Sequence, residues 1–460
     1  MSLRTLTVLP IGLLAVPLCA QIAFGGRPYG EHAVELGLPA PAVHHFPALD
    51  VPAFLAADSL KNLQHAKGPY HFGFTHACAL GLHNSGTWGT LANGDHVWRI
   101  VLACPEALGI NLAFSEYVVP QGARVFIYNA DGDVLGAYTA ESNGGAPEMG
   151  VSPIAGERVA VEYIEPPAVY GQGRLTIGAV THEYRDVFGG QRKNFGESGS
   201  CNVNTICPAG DDFRDQIRSV ARIIYGGDWC TGQLINNCAQ DGTPYFLTAN
   251  HCVSNVSSFN NWVFQFNWES PTCATTTNAP VNHTLSGATL LFNSTASDVA
   301  LLRLNTTPPS SYRPFYTGWD KSGAVPQGQT CIHHPAGDIK KISHDNDPPG
   351  SSVENFGTGN AQCWHIFNWD SGTTEGGSSG SGLWDQNGRL IGQLYGGAAS
   401  CQSNVDDYFG KFSVSYPLLQ SWLGTCGTTL DGYRLRPRAS RTVPRPPMRR
   451  WPPRTPRMIG

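Results

Sequence analysis

Short apolar runs separated by turn residues recur along most of the chain, the pattern of strands joined by tight connections. Between 25 and about 190 the runs fall at 97–102, 124–128, 134–138, 158–164 and 174–180. Asp131-Gly132 sits between two of them, a dipeptide suited to a hairpin turn. This predicts a small β-sandwich. The stretch Gly189-Gly190-Gln191-Arg192-Lys193-Asn194-Phe195-Gly196 is polar, basic and Gly-rich, the composition of an exposed linker. Beyond it, β-like runs resume at 245–248, 262–266 and 390–394, and a short helix is expected near 417–423. The pattern divides the chain into a leader at 1–20, a sandwich at 21–193, a second β domain at 194–426 and a tail at 427–460.

Composition agrees with an all-β reading: 53 Gly and 33 Pro among 460 residues, with only 14% charged. The leader has Arg4, an apolar run at 6–18, and then Cys19-Ala20-Gln21, which reads as a signal peptide and predicts a secreted protein. That run is too short to cross a bilayer comfortably, since about 20 apolar residues are needed. Residues 432–460 hold nine Arg and no Asp or Glu, so the formal charge of −5 hides a more acidic remainder. Such a tail cannot bury a core and is expected to be disordered, a passive or processed extension. No nucleic-acid partner is expected. Of 13 cysteines, Cys19 leaves with the leader, and the even number left suits a disulfide framework. Cys78 and Cys104 are a candidate bridge within the sandwich.

Three patterns carry candidate chemistry, all in the second domain. Phe246-Leu247-Thr248-Ala249-Asn250-His251-Cys252 is an apolar strand running into a His beside a Cys; Ser297-Asp298-Val299-Ala300-Leu301-Leu302 puts an Asp at the mouth of a β run; Glu375-Gly376-Gly377-Ser378-Ser379-Gly380-Ser381-Gly382 holds a Ser in a Gly-bounded loop. A serine hydroxyl is a poor nucleophile at neutral pH and needs a base, which in turn needs an acidic group to fix its tautomer. His251 suits the base, Asp298 the orienting acid and Ser379 the nucleophile. The glycines let the backbone aim the N–H groups of Gly377 and Ser379 at a developing oxyanion. Alone, each pattern reads equally well as a structural His, a turn Asp or a flexible loop. Together, in the order His-Asp-Ser, they fit the two-barrel proteases, against Ser-Asp-His in α/β-hydrolases and Asp-His-Ser in subtilisins.

Over about 199–425 the text resembles the bacterial lysyl endopeptidase family of chymotrypsin-like serine proteases. The resemblance lies in Gly199-Ser200-Cys201-Asn202, Cys230-Thr231-Gly232, Tyr245-Phe246-Leu247-Thr248-Ala249 with His251-Cys252, Gly318-Trp319-Asp320, His333-His334-Pro335, Gly377-Ser378-Ser379-Gly380-Ser381 and Gly392-Gln393-Leu394. It implies a double β-barrel catalytic domain, preceded here by the sandwich as a pro-domain that aids folding or inhibits. It also implies bridges Cys201–Cys401, Cys207–Cys273 and Cys230–Cys252. The remaining four cysteines, Cys238, Cys331, Cys363 and Cys426, depart from the family pattern and can pair three ways, of which Cys331–Cys363 with Cys238–Cys426 is the one expected. The residue six before the nucleophile, Thr373, is neutral, and the resemblance implies that the counter-charge for a basic substrate comes instead from a later loop, from Asp407 with Asp406 as runner-up. Trp369 and Tyr395 are the expected aromatic neighbours of that pocket, and Gly396 and Gly397 the strand along which an extended substrate lies. His333 and His334 read as structural, and no metal or other cofactor is expected.

The implied activity is endopeptidase cleavage after lysine through an acyl-enzyme, in a monomer acting on protein or peptide substrates. Broader Lys/Arg specificity, or a catalytically silent adhesion protein, are the alternatives. The Arg-rich tail contains no Lys, so a lysine-specific enzyme would leave it whole. Cleavage after Lys193 would free the catalytic domain. Ser378 stands where many trypsin-like zymogens carry the Asp that pairs with a new N-terminus, so control is expected from the pro-domain instead.

Overall fold

The computed structural model describes residues 23–64, 68–185, 198–254, 256, 258–273 and 283–435. The expected signal peptide, the expected cleavage point Lys193 and the tail beyond 435 lie outside the described residues.

The N-terminal region is a two-sheet sandwich. One sheet runs Ala42–His45, His96–Ala103, Arg158–Glu165, Arg124–Tyr128, Val134–Tyr138, with Thr87–Thr90 added beside His96–Ala103. The other runs Ile154–Ala155, Gly109–Val118, Arg174–Glu183, Gly73–Gly81. Alternate residues of each strand point inward, as the two-residue period of a strand requires. Trp98, Ile100 and Leu102 meet Ile110, Leu112 and Phe114 in one buried cluster. In Arg174–Glu183 the inward set is Leu175, Ile177 and then Val180, because the register shifts between Ile177 and Ala179. Cys78 and Cys104 are both thiols, which corrects the expected bridge. The Cys78 Sγ instead donates to the Ile177 carbonyl on the neighbouring strand, at 3.3 Å.

The second region is a pair of packed β-barrel sheets. The first is ordered Thr284–Ser286, Val263–Phe266, Val220–Tyr225, Asp228–Leu234, Tyr245–Ala249, Val299–Leu304, Ala288–Ser294. The second contains Lys341–Asp345, Gln329–His333, Gly382–Asp385, Leu390–Gly397, Val405–Lys411, Ala361–Asn368 and Gly350–Glu354 in that order. The helix Phe412–Leu423 closes the unit, its Phe412, Tyr416, Leu419 and Leu423 buried against Trp319 and Leu390. The apolar cluster of the sandwich continues into the first barrel through Met149, Trp262, Phe264 and Tyr312.

Four disulfides tie this region: Cys201–Cys401, Cys207–Cys273, Cys230–Cys252 and Cys238–Cys426. The expected Cys331–Cys363 bridge does not form. Cys331 Sγ faces Ser381 Oγ at 3.2 Å and Cys363 Sγ donates to Ala361 O, in separate buried clusters. The tail begins later than 427. Thr429–Leu430 pairs with Trp319–Asp320, and Tyr433–Arg434 with Phe315–Tyr316, because Cys426 is anchored and the next residues supply strand formers before the Arg-Pro run starts.

Candidate active site

Strand Tyr245–Ala249 is buried and β-branched or aromatic enough to hold its place between two neighbours, and it delivers Asn250–Val253 as a single helical turn at its end. His251 sits there, fixed from behind by the Cys230–Cys252 bond. Strand Val299–Leu304 pairs with Tyr245–Ala249 so that Ala249 faces Val299, which brings Asp298 alongside His251. Asp298 has φ of 51°, a left-handed conformation that Asp tolerates better than most residues. Its carbonyl accepts from Asn250 N–H at 2.8 Å.

The Asp298 carboxylate is fully buried and takes two donors from one residue: the His251 backbone N–H to Oδ1 at 3.0 Å and the ring Nδ1–H to Oδ2 at 2.7 Å. Burial pushes its pKa up, and the His251 contacts pull it back. A carboxylate accepting at Nδ1 keeps the ring proton there and leaves the Nε2 lone pair for chemistry. The Nε2 of His251 and the Oγ of Ser379 are both buried and neither makes a hydrogen bond. Ser379 is placed beside this pair from the second barrel: its carbonyl accepts from Thr231 N–H at 2.8 Å, next to Cys230.

The loop 375–381 is braced by its own hydroxyl. Ser378 Oγ accepts from Glu375 N–H at 3.1 Å and donates to His333 Nδ1 at 2.7 Å. His333 Nε2–H then donates to Ser343 Oγ at 3.2 Å, and Ser343 to the Thr373 carbonyl at 2.7 Å. His333 therefore holds the loop that carries Ser379, a role that its His-His-Pro setting did not suggest. Gly377 has φ of 87°. Gly380, at 81°, lies so close to Thr231 and Thr248 that a Cβ would stand 2.2 Å from the Thr248 hydroxyl. Both positions need glycine.

On the far side of Ser379, Asp407 is fully buried in Val405–Lys411, opposite Gly397. Its Oδ2 accepts from Trp369 Nε1–H at 2.8 Å and from Thr374 Oγ1–H at 2.6 Å. Thr374, five residues before Ser379, was not singled out in the sequence. Gly397 leaves room for the carboxylate, since a Cβ there would meet Asp407 Oδ1. Gly396 is opposite Tyr408 in the same ladder. Asp406 turns outward with φ of 66° and pairs with His365 at 2.8 Å, so the buried carboxylate is that of Asp407. Tyr395 lies with its ring centroid 6.0 Å from His251, its hydroxyl donating to Gly359 O at 2.9 Å. His334 donates from Nδ1 to the Asp338 carbonyl, and burial drives its pKa well down. Among the described residues, the one group of His, Cys, Asp or Glu whose donor atoms converge, Cys230, His251 and Cys252, offers no thiolate because its two sulfurs are bonded to each other.

Residues 195–410 match a family model described as the C-terminal domain of lysyl endopeptidase. A lysyl endopeptidase of Pseudomonas aeruginosa is 32% identical over 286 residues, which span 57% of this chain and 60% of that protein. A secreted RxLR effector protein 73 of Plasmopara viticola is 28% identical over 178 residues, 37% of this chain and 42% of that one. Among solved structures, the MamO protease domain of Magnetospirillum magneticum aligns with TM-score 0.33 and 15% identity, over 45% of this chain and 99% of that one. The active form of the Rv3671c protease of M. tuberculosis aligns with TM-score 0.34 and 14% identity, over 52% and 95%.

Proposed function

We propose that the chain, whose residues 195–410 match the lysyl endopeptidase C-terminal domain, is a secreted serine endopeptidase of that family, cutting on the carboxyl side of lysine. The observation that carries this reading is the buried Asp298–His251 pair beside Ser379, with a second buried carboxylate, Asp407, across the nucleophile loop. Ser379 Oγ attacks the substrate carbonyl while His251 Nε2 takes its proton, and Asp298 stabilises the imidazolium. The oxyanion is received by the N–H groups of Gly377 and Ser379. His251 then gives the proton to the leaving amine, and water, activated by the same ring, releases the acyl group.

Asp407 accounts for the lysine preference. A buried ammonium needs a counter-charge, and a carboxylate already oriented by Trp369 and Thr374 meets it without reorganising. Tyr395 packs beside His251, and Gly396 with Gly397 lets an extended substrate lie as an added strand. The N-terminal sandwich acts as a pro-domain, removed by a cut after Lys193. The processed protein, given a mixed peptide library, is expected to cut after Lys. Ser379→Ala should lower turnover by about 10⁶-fold, and Asp407→Asn should abolish the lysine preference. Cuts after Arg or apolar residues, or unchanged selectivity in Asp407→Asn, would leave the fold and remove this account of the pocket.

A further inference from the structure

Between the helix Val51–Gln64 and the strand Gly73–Gly81, the chain reads Gly68-Pro69-Tyr70-His71-Phe72. Proline fixes its own φ and biases the residue before it toward extended backbone, and the aromatics favour a strand. This strand joins neither sheet of the sandwich. Tyr70–His71 pairs antiparallel with Asp228–Leu234 of the first barrel, Tyr70 opposite Trp229 and His71 opposite Asp228. Phe72 N–H donates to Gly227 O at 2.8 Å. The Phe72 and Tyr70 rings lie nearly parallel to Trp229, with centroids at 4.3 and 5.7 Å, and His71 Nδ1 is against the Asp228 carboxylate.

At its upstream end the strand reaches the nucleophile loop. The Gly68 carbonyl accepts from Gly377 N–H at 3.3 Å, and Tyr70 lies over Gly376 and Gly377. The sandwich grips the strand from behind. Arg185 donates to the Tyr70 hydroxyl at 3.2 Å, lies over its ring at 5.0 Å, and reaches Asp58 of the helix Val51–Gln64 at 3.3 Å.

We propose that residues 68–72 are a built-in occupant of the leaving-group side of the substrate groove, through which the N-terminal region silences the site before processing. This rests on the peptidase reading above. A substrate whose acyl side follows Gly396–Gly397 must send its leaving side past Ser379 onto the first barrel, beside Cys230–Cys252. Asp228 and Trp229 line that path, and the strand covers them by the same backbone pairing that a peptide would use. It also engages Gly377 N–H, one of the two oxyanion donors. Removing one such donor typically costs about 10²–10³ in turnover, so occupation of both the groove and the donor is a sufficient brake.

The test labels the uncut full-length chain with a fluorophosphonate reagent and scores only the uncut species by intact mass. Wild type is expected to label at least about 10-fold more slowly than the Tyr70→Ala/His71→Ala double variant, since reaction at Ser379 needs the free donor. Tyr70→Phe, which keeps the ring on Trp229, is expected to stay slow. Equal rates for wild type and double variant overturn the proposal. The processed wild-type protein separates the two readings: if it labels rapidly, the peptidase reading stands and the strand is judged on the uncut chains alone. If it does not label, that reading fails, and hydrogen exchange decides the strand. Faster exchange at Gly377 and Asp228–Leu234 in the double variant supports the contact, and unchanged exchange rejects it.

Discussion

The two halves of the molecule belong to one structural class and are held together by different means. Both are built mainly of β-strands, both are rich in glycine turns, and they share a continuous apolar core across their boundary. The half that carries His251, Asp298 and Ser379 has four disulfides, two of them closing loops of 200 and 188 residues. The sandwich has none among its described residues, keeps Cys78 and Cys104 as thiols, and buries His182 with both ring nitrogens unpartnered. A cross-link acts chiefly by narrowing the unfolded ensemble, more so for longer loops. The half that carries His251, Asp298 and Ser379 is thus held by covalent cross-links as well as by packing, whereas the described part of the sandwich is held by packing and hydrogen bonds.

Reduction should break this comparison most visibly. Losing a native disulfide commonly costs about 2–5 kcal/mol, so reductant, or Cys238→Ser with Cys426→Ser, is expected to unfold residues 199–434 while leaving the sandwich protected. Hydrogen exchange mapped along the chain measures both halves at once. Simultaneous loss of the sandwich would mean that the shared core through Met149, Trp262 and Tyr312 outweighs the cross-links.

Acid should act in the opposite sense. Burial lowers the pKa of His182 to about 4 and also lowers that of its neighbour His76. Above about pH 6.5, His182 is neutral in both the folded and the unfolded chain, so it contributes no pH slope. Between 6.5 and 4 the unfolded chain takes up a proton that the folded one refuses, so stability falls; below 4 the loss levels off. At about 1.4 kcal/mol per pH unit the cost reaches up to about 3 kcal/mol. His334 carries the same liability within the cross-linked half. The sandwich is therefore expected to open first as pH falls from 6.5, and His182→Leu should flatten its denaturation midpoint against pH. An unchanged slope in that variant would locate the acid sensitivity elsewhere.

The parts of the site that were legible in the sequence are those that local chemistry dictates. Apolar strands running into His251 and out of Asp298, and glycines around Ser379, are short-range patterns, and their order along the chain narrows the fold. Asp407 came from the resemblance, and its choice over Asp406 rests on which face of one strand is buried. What stayed hidden depends on long-range contact. His333 braces Ser378 from 45 residues away in sequence, and Tyr70 meets Trp229 across the domain boundary. No local pattern marks either. Cysteine parity suggested a disulfide framework that included Cys78–Cys104 and Cys331–Cys363, but parity counts residues and cannot see that the sulfurs of Cys78, Cys331 and Cys363 face other groups, Ile177 O, Ser381 Oγ and Ala361 O. The tail boundary was set too early, at the last half-cystine Cys426, because nothing local shows that Thr429–Leu430 and Tyr433–Arg434 find strand partners at Trp319–Asp320 and Phe315–Tyr316.

The smallest effect tests the premise of the comparison itself. If the sandwich truly stands without a cross-link, replacing Cys78 should cost little, because serine can still donate to the Ile177 carbonyl from a half-buried position. A single neutral hydrogen bond is worth about 1 kcal/mol, so Cys78→Ser is expected to shift stability by less than that, against several for either half of Cys238–Cys426. Burial pushes the Cys104 thiol up to about 12, which leaves almost no thiolate at neutral pH and keeps it unreactive in the folded chain. Alkylation of the native, unreduced protein should accordingly spare Cys104, and denaturation without reductant should expose both sandwich thiols. Recovery of a Cys78–Cys104 disulfide peptide from the native protein would erase the contrast, because the sandwich would then be cross-linked by the same device as the other half.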